Sequence, residues 1–301
     1  MSVETGSRRQ GGMTWTWTLP IEIHPSSTLA TVTVEPSRVR VVMPTYRDWD
    51  DARTTVESLL NCSPRPGEVV VANDNEDGDC PTWVRRWGIR VASYSGNRGP
   101  AFARNAGARL EGRSKFDWLC FTDTACTRSA DFFERVATSS SVLPRTCVAM
   151  AAPVLGVGYG PINRYMTEEA ILAPPRDAFG PQAVVTANAT VSLRAFEAVG
   201  GFDAEFRIAG GEDLDLGLRL RSVGPIAWCD DSPIHHGFEE SLDDFDRRFE
   251  RYGRGNAQLA LKWGFRSMEV DAITARDPAL QYLADRQVAA MRRGYSQLIA
   301  R

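Results

Sequence analysis

Lysine is nearly missing from this chain of 301 residues: Lys115 and Lys262 are the only two, so arginine supplies 33 of its 35 basic side chains. The bias reads as GC-rich coding. Positive charge is not concentrated anywhere, since Arg, Asp and Glu are interspersed and the formal net charge is -3. That excludes a general nucleic-acid or membrane-surface binder, which would gather its cations on one face. Small or neutral partners are expected instead. Long apolar runs are absent too. Nothing approaches the ~20 residues of a membrane-spanning helix, and residues 1–12 lack the apolar core of a signal peptide. The expectation is a cytoplasmic protein with no membrane span. The six cysteines (Cys62, Cys80, Cys120, Cys126, Cys147 and Cys229) show no C-x-x-C spacing. A zinc knuckle is therefore not visible, and reduced thiols are expected rather than a disulfide framework.

What is present is enough chain for one large α/β domain with appendages. Near the start, Trp15, Trp17, Leu19, Ile21 and Ile23 alternate with other residues, and the alternation resumes at Ala30, Val32 and Val34. This predicts a β-hairpin or two edge strands. From Val39 onward the pattern changes to short apolar strands at 39–43, 68–72, 89–94, 118–122 and 148–154, separated by helical stripes. One stripe uses Ala52, Val56, Leu59 and Leu60; another uses Phe102, Ala106 and Leu110. Such alternation predicts a mainly parallel sheet with helices on its faces, and ligands beyond the carboxyl ends of its strands. Further helices are expected from Glu212, through Leu242, Phe245, Phe249 and Tyr252, and in a tail from Pro278 that docks on the domain or on a second copy. The boundaries read as an extension at 1–37, the main domain at 38–264 and a helical tail at 265–301.

Polar residues collect at the expected strand ends. The first strand runs into Pro44-Thr45-Tyr46, and the second ends in Asn73-Asp74, either of which can meet a nucleotide base or simply serve turn chemistry. A glycine-bearing turn, Gly96-Asn97-Arg98-Gly99, opens a helix carrying Arg104 and Asn105, whose amino end suits an anionic diphosphate. A hydrophobic strand then delivers Asp123, a carboxylate suited to a hard divalent cation or to capping the next helix. Late in the chain come Asn188, the turn Gly200-Gly201-Phe202-Asp203, and Gly210-Gly211 followed by Glu212 and Asp213. A glycine pair lets the chain turn tightly into a helix whose first acids can face a cleft, a natural place for a general base. The same acids would also complement the positive end of a helix dipole.

In this order the motifs resemble the inverting nucleotide-sugar glycosyltransferases of family two, with the GT-A fold, across about residues 38–264. The resemblance implies a UDP-sugar donor, or less often another nucleotide sugar, and a divalent metal, Mn or Mg, on its diphosphate. It also implies roles: Asp74 at the base, Arg104 at the nucleotide, Asp123 on metal or ribose, and Asp213 as catalytic base supported by Glu212. Pro44, Thr45, Asn73 and Asn105 belong to the donor-binding set, and Asn188 is expected to orient the donor sugar. Trp228 and Phe238 are candidates for sugar stacking or for core packing.

One departure bears on the metal. Enzymes of this type usually place a second aspartate two positions after the first, and here that position is Ala125. His236, or its neighbour His235, follows a predicted strand and is a candidate replacement ligand, with imidazole favouring Mn over Mg. The acceptor stays unassigned, and a homodimer is one expectation for the assembly. Two alternatives stand beside sugar transfer: a nucleotide-sugar binder without catalysis, motivated by Ala125, and a dinucleotide-dependent oxidoreductase. The second needs a phosphate loop after the first strand, where Pro44-Thr45-Tyr46 stands instead.

Overall fold

The computed structural model describes residues 4–10, 13–19, 33–75, 79–177, 180–238, 241–264 and 272–299. The first two strands, β1 (Glu4–Gln10) and β2 (Met13–Leu19), pair antiparallel with Gln10 opposite Met13. A hairpin was expected around Trp15, Trp17 and Leu19, but its second strand lies upstream. The sequence of β1, with two arginines and no apolar alternation, carries no period-two signal. Residues 20–32, which held the rest of that expectation, lie outside the described residues.

The main domain alternates strands and helices: β3 (Val39–Thr45), α1 (Trp49–Leu60), β4 (Glu68–Asn73), α2 (Thr82–Arg86), β5 (Arg90–Ser93), α3 (Pro100–Arg109) and β6 (Trp118–Phe121). It continues through β7 (Cys126–Arg128), α4 (Phe132–Ser141), β8 (Ala149–Ala151), β9 (Val154–Val157), α5 (Pro161–Glu168), β10 (Arg176–Asp177) and β11 (Gly180–Pro181). Next are β12 (Ala189–Ser192), α6 (Leu193–Ala198), α7 (Glu212–Arg221), β13 (Ile226–Trp228), β14 (Ile234–Gly237), α8 (Leu242–Trp263) and α9 (Gln281–Ile299).

Among the described residues, seven strands form the central sheet in the order β13-β8-β12-β6-β3-β4-β5. The pairs β3 with β4, β4 with β5, β3 with β6 and β13 with β8 are parallel, and β12 alone runs against both neighbours. The sheet is buried on both faces, which explains why β3, β4 and β6 read as continuous apolar runs. On one face Val42, Leu119, Phe121 and Val191 pack with Phe196 and Leu216; on the other Val41, Met43, Val71 and Cys120 pack with Val56, Leu59 and Phe133. The apolar run 148–154 is two strands, because the chain crosses at Ala152-Pro153 from β8 in this sheet to β9 in a second one, ordered β7-β14-β9. Proline cannot donate to a ladder, so a continuous central strand was not available there.

The tail helix docks on this same chain. Helix α8 opens with Ser241, whose hydroxyl accepts from the Asp244 amide at 3.2 Å in a capping box. Its buried side, including Phe245, Phe249 and Gly253, faces Leu283, Ala284 and Met291 of α9. A Cβ at Gly253 would stand 2.1 Å from the Met291 carbonyl oxygen, and one at Gly294 2.0 Å from that of Glu250, so both positions demand glycine. The backbones therefore meet directly. No described helix is long and apolar enough to cross a membrane.

Candidate active site

Beyond the carboxyl ends of the strands lies a cavity of about 200 Å³. Asp123 reaches it from just past β6, Arg104 from α3, His236 from β14, and Glu212 and Asp213 from the start of α7. The glycine pair before α7 makes this approach feasible. Gly211 has φ +91°, and a Cβ there would stand 2.9 Å from the Gly255 carbonyl oxygen, so the turn is pressed against α8. A side chain at that position would push Asp213 out of place.

Arg104 is the hub. Its guanidinium donates through Nη2 to Asp123 Oδ1 at 2.6 Å and through Nη1 to Glu212 Oε1 at 2.9 Å, while the arginine itself is only 3 % exposed. Burial pulls its pKa down, but Asp123 and Glu212 outweigh this and raise it, so the residue is a fixed cation. Its Nε hydrogen has no partner in the described structure.

The two acids that begin α7 are not equivalent. Glu212 is buried and fully engaged, accepting from Arg104 and, through Oε2, from the Gly210 amide at 2.7 Å. Asp213 is half-buried and accepts from the adjacent Leu214 amide at 2.8 Å. Burial first, then the negative charge of Glu212, push its pKa up to about 7 against the pull of Arg104. A carboxylate tuned near neutrality and open to a cavity is what general-base chemistry requires. The next acid, Asp215, points elsewhere: it is fully buried, paired with Arg219 at 2.7 Å and Lys262 at 2.6 Å.

His236 stacks on Phe238 with ring centroids 4.4 Å apart and planes 4° from parallel. Its Nδ1 lies 2.8 Å from the Gly237 carbonyl oxygen, which can only accept, so Nδ1 carries the proton and Nε2 keeps a lone pair. Burial, aided by Arg248, lowers its pKa and favours the neutral, ligating form. Ala125 sits at φ +56°, with its carbonyl oxygen accepting from the Gly237 amide at 3.1 Å. It is a backbone junction. Among the described residues no cluster of three or more His, Cys, Asp or Glu side chains is assembled to hold a metal. The donor set fits a cation only as Asp123 and His236 together, with the remaining positions left to substrate oxygens and water.

The other predicted donor residues do not line this cavity. Pro44 and Thr45 end β3 beside Ala72 and Asn73, and the Thr45 hydroxyl donates to Asp48 at 2.5 Å. Asn73 accepts from the Asn75 side chain at 2.6 Å. Asp74 accepts from the amides of Arg98 at 2.8 Å and Gly99 at 2.9 Å, which clasps the loop before α3. Asn105 holds both the amide of Phe202, at 2.9 Å, and its carbonyl, at 2.8 Å. Asn188 donates to the carbonyls of Pro153 and Ser232, both at 2.9 Å. These side chains tie together the segments that carry the cavity residues. Phe238 is buried beneath His236, and Trp228 lies under the Arg176 guanidinium at 3.4 Å.

Sequence reasoning missed a whole wall: Arg248, Arg251 and Tyr252 on α8, Gln287 on α9 and the segment 170–175 all line the cavity. From the sequence, Phe249 and Tyr252 read as parts of an apolar stripe. The arginines at i and i+3 beside that stripe were the available signal.

The sheet ordered β13-β8-β12-β6-β3-β4-β5, with acids and a fixed arginine beyond its strand ends, shares the GT-A fold. The glycosyl transferase family 2 model matches residues 40–199, and that of glycosyl transferase family group 2 matches residues 174–293. The chain belongs to glycosyl transferase family 2. It is 26 % identical over 274 residues to validoxylamine A glucosyltransferase of Streptomyces hygroscopicus subsp. limoneus, covering 73 % of this chain but only 57 % of that protein. Among solved structures, it resembles the mannosyltransferase PcManGT of Pyrobaculum calidifontis in complex with GDP-Man and Mn2+. There the TM-score is 0.56 and the identity 18 %, over 94 % of this chain and 78 % of the other. It also resembles S. aureus TarS residues 1–349, with TM-score 0.51 and identity 15 % over 86 % and 72 %. GalNAc-T7 with UDP, GalNAc and Mn2+ shares the fold at TM-score 0.52 and 14 % identity, over 91 % and 58 %. The family match sets the oxidoreductase alternative aside.

Proposed function

We propose that this glycosyltransferase moves a sugar from a UDP-sugar to an acceptor hydroxyl with inversion, using Asp213 as the base. The observation that carries this reading is the half-buried Asp213 carboxyl, raised to about 7, in the same cavity as the Arg104–Asp123 pair. The acceptor hydroxyl gives its proton to Asp213 as its oxygen forms the new bond to the anomeric carbon, and the bonding electrons leave with the nucleoside diphosphate. Attack from the face opposite the departing group inverts the centre. Glu212, held by Arg104, supplies the negative neighbour that keeps Asp213 basic.

For the donor, complexes of TarS with UDP and with UDP-GlcNAc and of GalNAc-T7 with UDP support a uridine nucleotide, while PcManGT holds GDP-Man. We assign the base end to Pro44, Thr45, Asn73 and Asp74. Arg104 serves the nucleotide phosphates, and Asn105 and Asn188 hold the donor-side segments in place. Asp123 and His236 would hold a divalent cation, in keeping with the Mn2+ of two neighbours. When bound, it would offset the charge that develops on the departing diphosphate.

The test is a panel of UDP, GDP and dTDP sugars, read as nucleoside diphosphate released with and without Mn. Turnover of a UDP-sugar by the wild type, lost in Asp213→Asn with UDP binding retained, supports the reading. Tight nucleotide-sugar binding with no turnover against a broad acceptor panel would favour the non-catalytic binder instead.

A further inference from the structure

Arg251 is a cation on the cavity wall. Its side chain lines the cavity and is half-buried, yet it makes no hydrogen bond or ion pair among the described residues. The acids nearest to it on α8 are already committed. Asp244 is bonded to Arg247 and to Ser241, Asp246 to Arg286 at 2.9 Å, and Glu250 to Arg254 at 2.9 Å. Burial lowers the pKa of Arg251; Tyr252 opposes it, and the like charges of Arg248 and Arg247 add to the lowering. A buried charge left without a partner costs stability, and a bound anion would remove that cost.

Its position separates it from the diphosphate end. Asp123 and His236 mark that end, and the arginine whose charge bears on His236 is Arg248. Arg251 instead adjoins the turn that presents Asp213: a Cβ on Gly210 would lie 3.1 Å from the Arg251 carbonyl oxygen and 3.2 Å from the Tyr252 ring. The same cavity lining includes Ile171, Leu172, Pro174 and Phe249, which are apolar. That side of the cavity is where the proposed base meets the incoming hydroxyl.

Resting on the sugar-transfer reading above, we propose that Arg251 recognises an oxyanion on the acceptor, so that the acceptor class is a hydroxyl compound bearing a carboxylate or phosphate beside apolar surface. A planar guanidinium takes either group through two parallel hydrogen bonds. The oxyanion would hold the acceptor by one end while its hydroxyl reaches Asp213.

Matched pairs test this in the full chain saturated with UDP: 4-hydroxybenzoate against 4-hydroxybenzyl alcohol, and glucose 6-phosphate against glucose, with binding read by calorimetry. The wild type should prefer the anionic member by about tenfold or more, the effect of one charge-assisted contact. Arg251→Gln should abolish the preference, Arg251→Lys should keep part of it, and UDP affinity should stay within about twofold in both, as expected for a residue outside the diphosphate site. Equal binding of charged and neutral members by the wild type would overturn the proposal. So would a preference that survives in Arg251→Gln, or a loss of UDP affinity in that variant, which would assign Arg251 to the donor. If the wild type failed to bind UDP, the sugar-transfer reading itself would fall, which is a separate outcome.

Discussion

Replacing Asp213 by asparagine should stabilise the protein while destroying its activity, and the stabilisation should depend on pH. In the folded chain burial and the charge of Glu212 push the carboxyl up to about 7. A free aspartate titrates at about 3.9. The folded state therefore holds its proton more tightly than the unfolded state. The sign follows directly: this group imposes no penalty at low pH, a growing one as pH rises from about 4 to about 7, and a constant one above that. That difference from a free aspartate corresponds to at most roughly 4 kcal/mol. Partial solvent access and coupling to Glu212 reduce this, so a penalty of about 1–3 kcal/mol is expected at pH 8. Asparagine cannot ionise and escapes it. Thermal unfolding in EDTA should then show Asp213→Asn melting several degrees above the wild type at pH 8, at about 2–4 °C per kcal/mol, with the gap narrowing towards pH 5. Loss of a positioned base should cut turnover by about 10²–10⁴-fold in the same variant. A variant less stable than the wild type at pH 8, or a gap independent of pH, would refute the electrostatic assignment.

The pH dependence of kcat/KM in the wild type should rise through about 7 as Asp213 loses its proton, under the joint field of Glu212, Arg104 and Asp123. A flat profile from pH 5 to 9 would remove Asp213 as the titrating base. Arg104→Met leaves Glu212 buried without its cation and should cost about 3–5 kcal/mol in denaturant unfolding; a neutral change would contradict its role as hub. His236→Ala should weaken Mn binding about 10–100-fold while leaving UDP affinity in EDTA unchanged, and titration calorimetry separates the two.

Much of this architecture was legible from apolar runs, because strands buried on both faces must be apolar throughout and the helices between them show one apolar stripe. The placement of three acids was legible as well, since Asp123, Glu212 and Asp213 sit where a strand end and a glycine turn put them, on one cavity. Tertiary destinations were not. Asn105 and Asn188 have the residue type of ligand contacts, and only the fold shows that their amides hold Phe202, Pro153 and Ser232. Arg251 escaped notice because an arginine beside an apolar stripe is ordinary on a helix. Its significance lies in acids that are spent elsewhere. The strand β1 was invisible for want of alternation, and the break at Ala152-Pro153 was masked by an apolar run continuous in composition but divided between two sheets.

The most direct measurement is a crystal structure of the protein soaked with a UDP-sugar and Mn. The account predicts the uracil near Asp74 and Thr45, the diphosphate at Asp123 and His236, and the anomeric carbon facing the Asp213 carboxylate across a space that admits one hydroxyl. A nucleotide lodged away from Asp123, or a sugar that turns its departing face towards Asp213, would contradict it.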